Sequence, residues 1–350
     1  MAPDMRILVL HSRLSGYWMA CMRVFVKEYK GDFFVVRKKA SANAPFDFEN
    51  EPGIQLFDFS SFSDKELIKF CKDKNPDLVY VSGWSEQVYL KIARHFCKKK
   101  IPVICGLDNH WEGTIRQQAG KFYLKHVAPK TFTHLWIPDS YQFEYARHLG
   151  FAKENILTGL YSADVEAFSK ARKESKKEPY PKSFLFVGRF IERKGLIELA
   201  QAFEELKKTT DSEWALTLIG NGPLKERLKE FDHVEILDFV QPEELPQVMS
   251  THGVFVLPSH VEPWGVVVHE AAAAGVPIIS TYSCGAAATF VRNGYNGYFT
   301  EAGNVHSLKN ALELAIQKSD PELYEMGRRS AELSLQHTPQ SWASTLYQLI

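Results

Sequence analysis

Two glutamates eight positions apart, Glu262 and Glu270, enclose Pro263-Trp264-Gly265-Val266-Val267-Val268-His269, and Ala271 to Ala274, Gly275 and Pro277 follow. The apolar run Val254-Phe255-Val256-Leu257 predicts a buried strand closed by Pro258. That leaves Glu262 on a loop and predicts a helix from Gly265 to Ala274, with Glu270 more than one turn inside it. A helix that opens behind a strand presents unpaired backbone N–H groups and a partial positive charge, and both attract phosphate. A carboxylate on each side can accept hydrogen bonds from sugar hydroxyls, as an acidic residue does for ribose in dinucleotide folds. The pair suits a nucleotide sugar.

Further residues of the right chemistry follow other predicted strands. Phe184-Leu185-Phe186-Val187 leads into Gly188-Arg189 and then Lys194-Gly195-Leu196, and Leu218-Ile219 leads into Gly220-Asn221-Gly222-Pro223. Arg189 can grip diphosphate oxygens with two donors while Lys194 adds a point charge. The glycines permit close backbone approach to a ligand. Gly188-Arg189, Gly220 to Gly222, Ser259 to Gly265 and Thr281 to Gly285 all lie just beyond a strand, the place where open α/β sheets bind ligands.

In order and spacing these segments resemble the E-x7-E signature of retaining, nucleotide-sugar-dependent glycosyltransferases with the GT-B fold, the glycosyltransferase group 1 or glycogen-synthase-like family. The segment from Val187 to Leu196 is similar to the family's V-G-R and K-G motif, and Gly220 to Pro223 to its G-x-G-P turn. The motifs cover roughly residues 183–350. The resemblance implies that Glu270 holds the ribose hydroxyls, that Glu262 contacts the donor sugar, and that Arg189 and Lys194 neutralise the diphosphate leaving group. Trp264, Gly265 and Val266 would then offer backbone donors. It also implies that Gly16, in the loop His11 to Tyr17, faces the donor phosphate, and that His110, just past the strand Val103–Cys105, lies near the anomeric carbon. Two positions depart from the family pattern: Ala286 follows Gly285 where a second glycine is usual, and Thr289 stands where a glutamate is usual. The turn Gly294 to Gly297 that normally follows is present.

The fold implied is GT-B, an α/β architecture of two doubly wound, Rossmann-like domains facing across a cleft. The function implied is transfer of a sugar from a UDP- or GDP-sugar to a hydroxyl of a saccharide or glycolipid, as in cell-envelope polysaccharide or glycolipid synthesis. Neither a cofactor nor a metal is expected, and the sequence holds no D-x-D triplet. A silent sugar-binding scaffold of the same fold stays open as an alternative, as does a pyridoxal-phosphate-dependent phosphorylase. A nicotinamide-dependent dehydrogenase is disfavoured by the lack of G-x-G-x-x-G after any strand.

The elements that must position these residues are legible as alternating strands and helices. Strands are expected at Ile7–Leu10, Phe33–Val36, Leu78–Val81, Val103–Cys105 and His134–Ile137. A second set is expected at Phe184–Val187, Leu216–Ile219, Val234–Leu237, Val254–Leu257 and Pro277–Ser280. Helical patterns such as 65–72 and 86–98 lie between, so each half should form a parallel sheet. The charged, proline-bearing segment 169–182 is expected to be a linker between an acceptor domain over 1–168 and a nucleotide-sugar domain over 183–337. The last stretch, 338–350, is expected to be a helix that returns to the first domain, with Trp342 and Leu346 on one face.

At 350 residues with 45% hydrophobic content the chain is globular and long enough for two cores. A mean hydropathy of −0.24 and the lack of a long apolar run argue against a membrane-embedded protein. Met1 to Arg6 is too short and too acidic for the basic region of a signal peptide, and the five cysteines are scattered without a C-x-x-C pair. These features predict a cytoplasmic protein. Net charge is zero, yet residues 1–168 carry four excess positive charges and residues 183–350 eight excess negative ones. The basic half fits an anionic acceptor or peripheral contact with lipid headgroups, or is ordinary surface charge. Nothing points to nucleic acid.

Overall fold

The structure, a computed structural model, describes residues 5–39, 45–175 and 179–350. Residues 1–4 of the predicted basic-region test and 176–178 of the predicted linker lie outside the described residues. The chain divides into two compact units: Met1–Ala40, Asp47–Ser162 and Pro339–Ile350 form the first, and Ser41–Phe46 with Ala163–Thr338 form the second.

The first unit holds seven parallel strands: β1 (Met5–His11), β2 (Gly31–Arg37), β3 (Ile54–Asp58), β4 (Leu78–Val81), β5 (Val103–Gly106), β6 (His134–Trp136) and β7 (Ile156–Leu157). Their order is β3-β2-β1-β4-β5-β6-β7. The apolar runs that predict β1 and β4 are buried on both faces, as a parallel sheet covered by helices requires. The helix Pro339–Tyr347 belongs to this unit. Trp342 and Leu346 share its buried face, and the Trp342 indole packs 5.2 Å from Trp18 and 5.1 Å from Trp136. Its Nε1 donates to the Leu160 carbonyl at 3.1 Å, which leaves the buried ring with no unmet donor.

The second unit holds six parallel strands: β8 (Ser183–Val187), β9 (Ala215–Ile219), β10 (Val234–Leu237), β11 (Val254–Leu257), β12 (Ile278–Thr281) and β13 (Gly297–Thr300), in the order β10-β9-β8-β11-β12-β13. Both sheets are those of doubly wound folds.

The expected linker over residues 169–182 begins inside a helix instead. The unit boundary falls between Ser162 and Ala163, and Val165–Glu174 is a helix whose Val165, Phe168 and Ala171 are buried. Three turns of spaced apolar side chains therefore anchor a segment that its charge made look unstructured. Asp164 caps it by accepting the Ala167 N–H at 3.1 Å.

Candidate functional site

In the second unit β8 lies between β9 and β11, so the chain runs outward to β10 and then returns to the other side of β8. This reversal opens a crevice beyond the carboxyl ends of β8 and β11, the ligand position of open α/β sheets. The loops that enter it carry Gly188 to Lys194 and Pro258 to Gly265. Gly195 takes φ +68°, and a Cβ there would meet the Pro258 carbonyl oxygen at 2.3 Å. Only glycine lets the two loops approach so closely. Lys194 is thereby held beside the second loop, and its Nζ forms an ion pair with Glu262 Oε2, each side chain only 10% exposed.

The backbone fixes Glu262 in turn. Its N–H donates to the Ser283 carbonyl and its carbonyl accepts from Gly285 N–H, both at 3.1 Å, so the loops after β8, β11 and β12 form one tied cluster. The loop after β9 joins it through Phe190 N–H, which donates to the Asn221 carbonyl at 2.9 Å. Gly220 abuts Gly188 so tightly that an added Cβ would lie 1.9 Å from the Gly188 oxygen.

Gly188, Gly220 and Gly222 spend their N–H groups within the protein. They donate to the Ile219 carbonyl, the Leu237 carbonyl and Asn221 Oδ1. They supply close loop packing, while free donors come from the helix Val266–Ala273. There Gly265, Val266 and Val267 have no acceptor within the helix, because the first N–H groups of any helix lack one. Trp264 contributes backbone only. Its ring is buried, and its carbonyl accepts from Ala286 N–H at 2.8 Å and Cys284 Sγ at 3.1 Å.

Glu270 is the fifth residue of this helix. It is half-buried, its carboxyl makes no hydrogen bond or ion pair among the described residues, and crowding by the protein raises its pKa to about 7. Arg189, also half-buried, follows β8 on the same edge of the sheet. The neighbouring His269 is a strut that the sequence reading passed over. Its Nδ1 accepts the Ala163 N–H at 3.0 Å, its Nε2 donates to the Ser334 carbonyl at 2.8 Å, and its ring stacks on Phe290 at 4.1 Å. Both nitrogens are used by a neutral ring, and burial pushes its pKa down to about 3. It holds the helix that carries Glu270.

Gly16 and His110 belong to the first unit. There the reversal of strand order lies between β1 and β4, and Ser12 N–H donates across it to Ser82 Oγ at 2.8 Å. Gly16 opens the helix Gly16–Tyr29 directly behind β1. His110 lies beyond β5, its Nε2 3.4 Å from Glu112 Oε1 and its ring 5.0 Å from Tyr141, and its buried Nδ1 has no partner among the described residues. In the same unit Trp84 and Trp111 pack against the core, and Tyr17 packs against Tyr161 at 5.4 Å. Among the described residues no group of three or more His, Cys, Asp or Glu is placed to hold a metal ion, and no helix is long and apolar enough to cross a membrane.

Two such sheets, with ligand loops at the carboxyl edges, define the GT-B class. The fold matches that of HepE from Anabaena, solved in complex with UDP and glucose, with a TM-score of 0.72 and 16% identity over 99% of each chain. It also matches sucrose-phosphate synthase from Thermosynechococcus elongatus, with a TM-score of 0.76 and 16% identity over 99% of this chain and 98% of that one. Residues 167–332 match the family described as glycosyl transferases group 1.

Curated relatives include a GDP-mannose-dependent alpha-(1-6)-phosphatidylinositol monomannoside mannosyltransferase of Mycobacterium tuberculosis. It is 29% identical over 191 residues, 50% of this chain and 49% of the relative. The capsular polysaccharide biosynthesis glycosyltransferase CapM of Staphylococcus aureus is 31% identical over 201 residues, 52% of each. The chain spans about half the length of the curated relatives it matches.

Proposed function

We propose that this chain is a retaining, metal-independent glycosyltransferase that moves a sugar from a UDP- or GDP-sugar to a hydroxyl of a saccharide or glycolipid, in the cytoplasm. The observation that carries the reading is the buried Lys194–Glu262 pair at the strand reversal with the unbonded Glu270 carboxyl eight residues on. In this reading Glu270 accepts from ribose hydroxyls, the first N–H groups of the helix, Gly265 to Val267, donate to phosphate, and Lys194 with Arg189 stabilises charge on the departing diphosphate. Glu262 contacts the donor sugar. Glu262 is held by Lys194 and Glu270 is given to the ribose hydroxyls, so this reading assigns no carboxylate as a nucleophile and favours a front-face transfer in which the leaving phosphate helps deprotonate the acceptor. The relatives' names supply both candidate bases, GDP from the mannosyltransferase and UDP from HepE. The role in envelope polysaccharide or glycolipid synthesis rests on the names of the mannosyltransferase and CapM. Five scattered cysteines without a C-x-x-C pair fit a reducing compartment.

The test is a thermal-shift screen of UDP-, GDP- and ADP-sugars followed by a turnover assay. A matching donor at a hundred times its Kd should stabilise the protein by about 2.7 kcal/mol. Binding without turnover on any hydroxyl acceptor would favour a silent scaffold.

Glu270→Gln gives a two-sided result. Affinity for the matching nucleoside diphosphate should fall by about 1.5–3 kcal/mol as bonds to a charged acceptor are lost. The unliganded variant should nevertheless be more stable than wild type at pH 8. A folded-state pKa of about 7, above the ordinary 4.5, means that ionised Glu270 costs stability above pH 7. The gain should be about 1–3 kcal/mol, less than the full shift because the group is part-exposed. Calorimetry and urea unfolding measure both; unchanged affinity would remove Glu270 from the site.

His110→Ala should lower kcat while sparing affinity for free nucleoside diphosphate, the signature of an interaction made mainly in the transition state. Parallel losses of melting temperature, affinity and turnover would instead make His110 a packing residue.

A further inference from the structure

We infer that the exposed face of the helix Ile115–Val127 docks on an anionic lipid surface. Ile115 is 90% exposed and Phe122 72%, the two largest such values among the large hydrophobics of the described residues. They stand seven positions apart, with exposed Ala119 between them, and so share one stripe of the helix. None of the described side chains of this helix is buried. Thr114 caps it by accepting the Gln117 N–H at 3.3 Å, so the helix is closed at its start while its apolar stripe faces solvent.

Charge identifies the occupant. Residues 113–138 carry Arg116, Lys121, Lys125 and Lys130 and no aspartate or glutamate. Arg116 and Lys125 are exposed on either side of the stripe. Apolar side chains flanked by cations are the pattern of a helix lying in a membrane interface, its apolar face among the acyl chains and its cations at anionic headgroups. A second copy of this face would bring Arg116 and Lys125 against their like charges. A nucleic-acid backbone would engage the cations but leave Ile115 and Phe122 unused. The inference rests on the proposed function for its purpose, a glycolipid acceptor presented at that surface, and on the helix alone for its geometry.

Co-sedimentation of the full chain with vesicles tests it. Wild type should pellet with phosphatidylglycerol–phosphatidylcholine vesicles and stay in solution with phosphatidylcholine alone. Ile115→Asp and Phe122→Asp should each weaken binding about tenfold or more, the worth of one large apolar side chain withdrawn from lipid. Lys125→Glu should weaken it too, and added salt should weaken wild-type binding. All three variants should melt like wild type and transfer sugar to a water-soluble acceptor at the wild-type rate without vesicles. Equal binding of both vesicle types, no binding to the anionic ones, or undiminished binding by Phe122→Asp would overturn the inference. Sedimentation does not depend on turnover, so failure of the transferase reading would appear separately in the solution assay.

Discussion

Lys194→Ala will lower kcat/KM by about a hundredfold or more and will also destabilise the second unit by about 3–5 kcal/mol. The first effect follows from the proposed role. A fixed cation beside a departing diphosphate needs no reorganisation when charge develops, and its removal leaves that charge to water. The second follows from the partner. Glu262 is as buried as Lys194 and is paired with it, so alanine leaves a carboxylate in a low-dielectric crevice with its neutralising charge gone. At 2–4 °C per kcal/mol for a unit of this size, the melting temperature should drop by several degrees or more. The double change Lys194→Met with Glu262→Gln separates the effects. It removes both charges, so it should melt near wild type, since replacing a buried pair by neutral groups is often close to neutral in stability, yet it should remain inactive. Wild-type melting by Lys194→Ala would show that the pair is not a buried one, and wild-type turnover would remove Lys194 from the reaction.

That pairing marks the limit of what the sequence discloses. Lys194 and Glu262 were each legible as site residues from their place after a strand, but they are 68 positions apart and meet only because β8 and β11 are neighbours. Strand order is set by how the whole sheet winds. The alternation of apolar runs says that strands exist and run parallel without saying which lie side by side. The same applies to Gly188, Gly220 and Gly222. Turn chemistry identifies them, but only the packed loops show that their N–H groups are spent on the protein.

The strands that were not anticipated share a physical cause. β3, β7 and β13 each lie at a sheet edge. An edge strand has one neighbour and more solvent, so it needs no unbroken apolar run. Ile54-Gln55-Leu56-Phe57-Asp58 mixes polar and apolar residues, β7 has only two residues, and β13 begins with Gly297. The role of His269 is hidden in the sequence for a related reason. A histidine beside a glutamate on a helix reads as chemistry or as surface until its two nitrogens are seen to end on Ala163 and Ser334. The final helix was easier. Trp342 and Leu346 recur at a helical spacing, and large apolar side chains four apart demand a common partner.

Acid will weaken the first unit before the second, because burial depresses the pKa of His11 in the first and of His269 in the second, and only the second has a carboxyl that opposes its histidine. His11, at the end of β1, accepts the Arg13 N–H at 3.1 Å on Nδ1 and packs 4.9 Å from the Trp18 ring. Burial lowers its pKa to about 3, as it does for His269. Below pH 6.5 the unfolded chain takes a proton that the folded histidine refuses, so stability falls with pH by about 1.4 kcal/mol per unit per histidine down to about pH 3. Glu270 acts with the opposite sign. Its folded pKa of about 7 exceeds the ordinary 4.5, so between those values the folded state binds the extra proton and gains stability as pH falls. From pH 6.5 to 4.5 His269 and Glu270 largely offset one another within the second unit, whereas His11 costs the first unit about 2 kcal/mol. Trp18, Trp84, Trp111, Trp136 and Trp342 lie in the first unit and Trp214 and Trp264 in the second, so tryptophan fluorescence reports mainly on the first. Urea midpoints followed by fluorescence at pH 6.5 and 4.5 should therefore fall for wild type and fall less for His11→Asn, which offers an acceptor that does not titrate, while the part-buried His134 still contributes. An equal fall in both proteins would assign the acid sensitivity to carboxylates and refute the role given to His11.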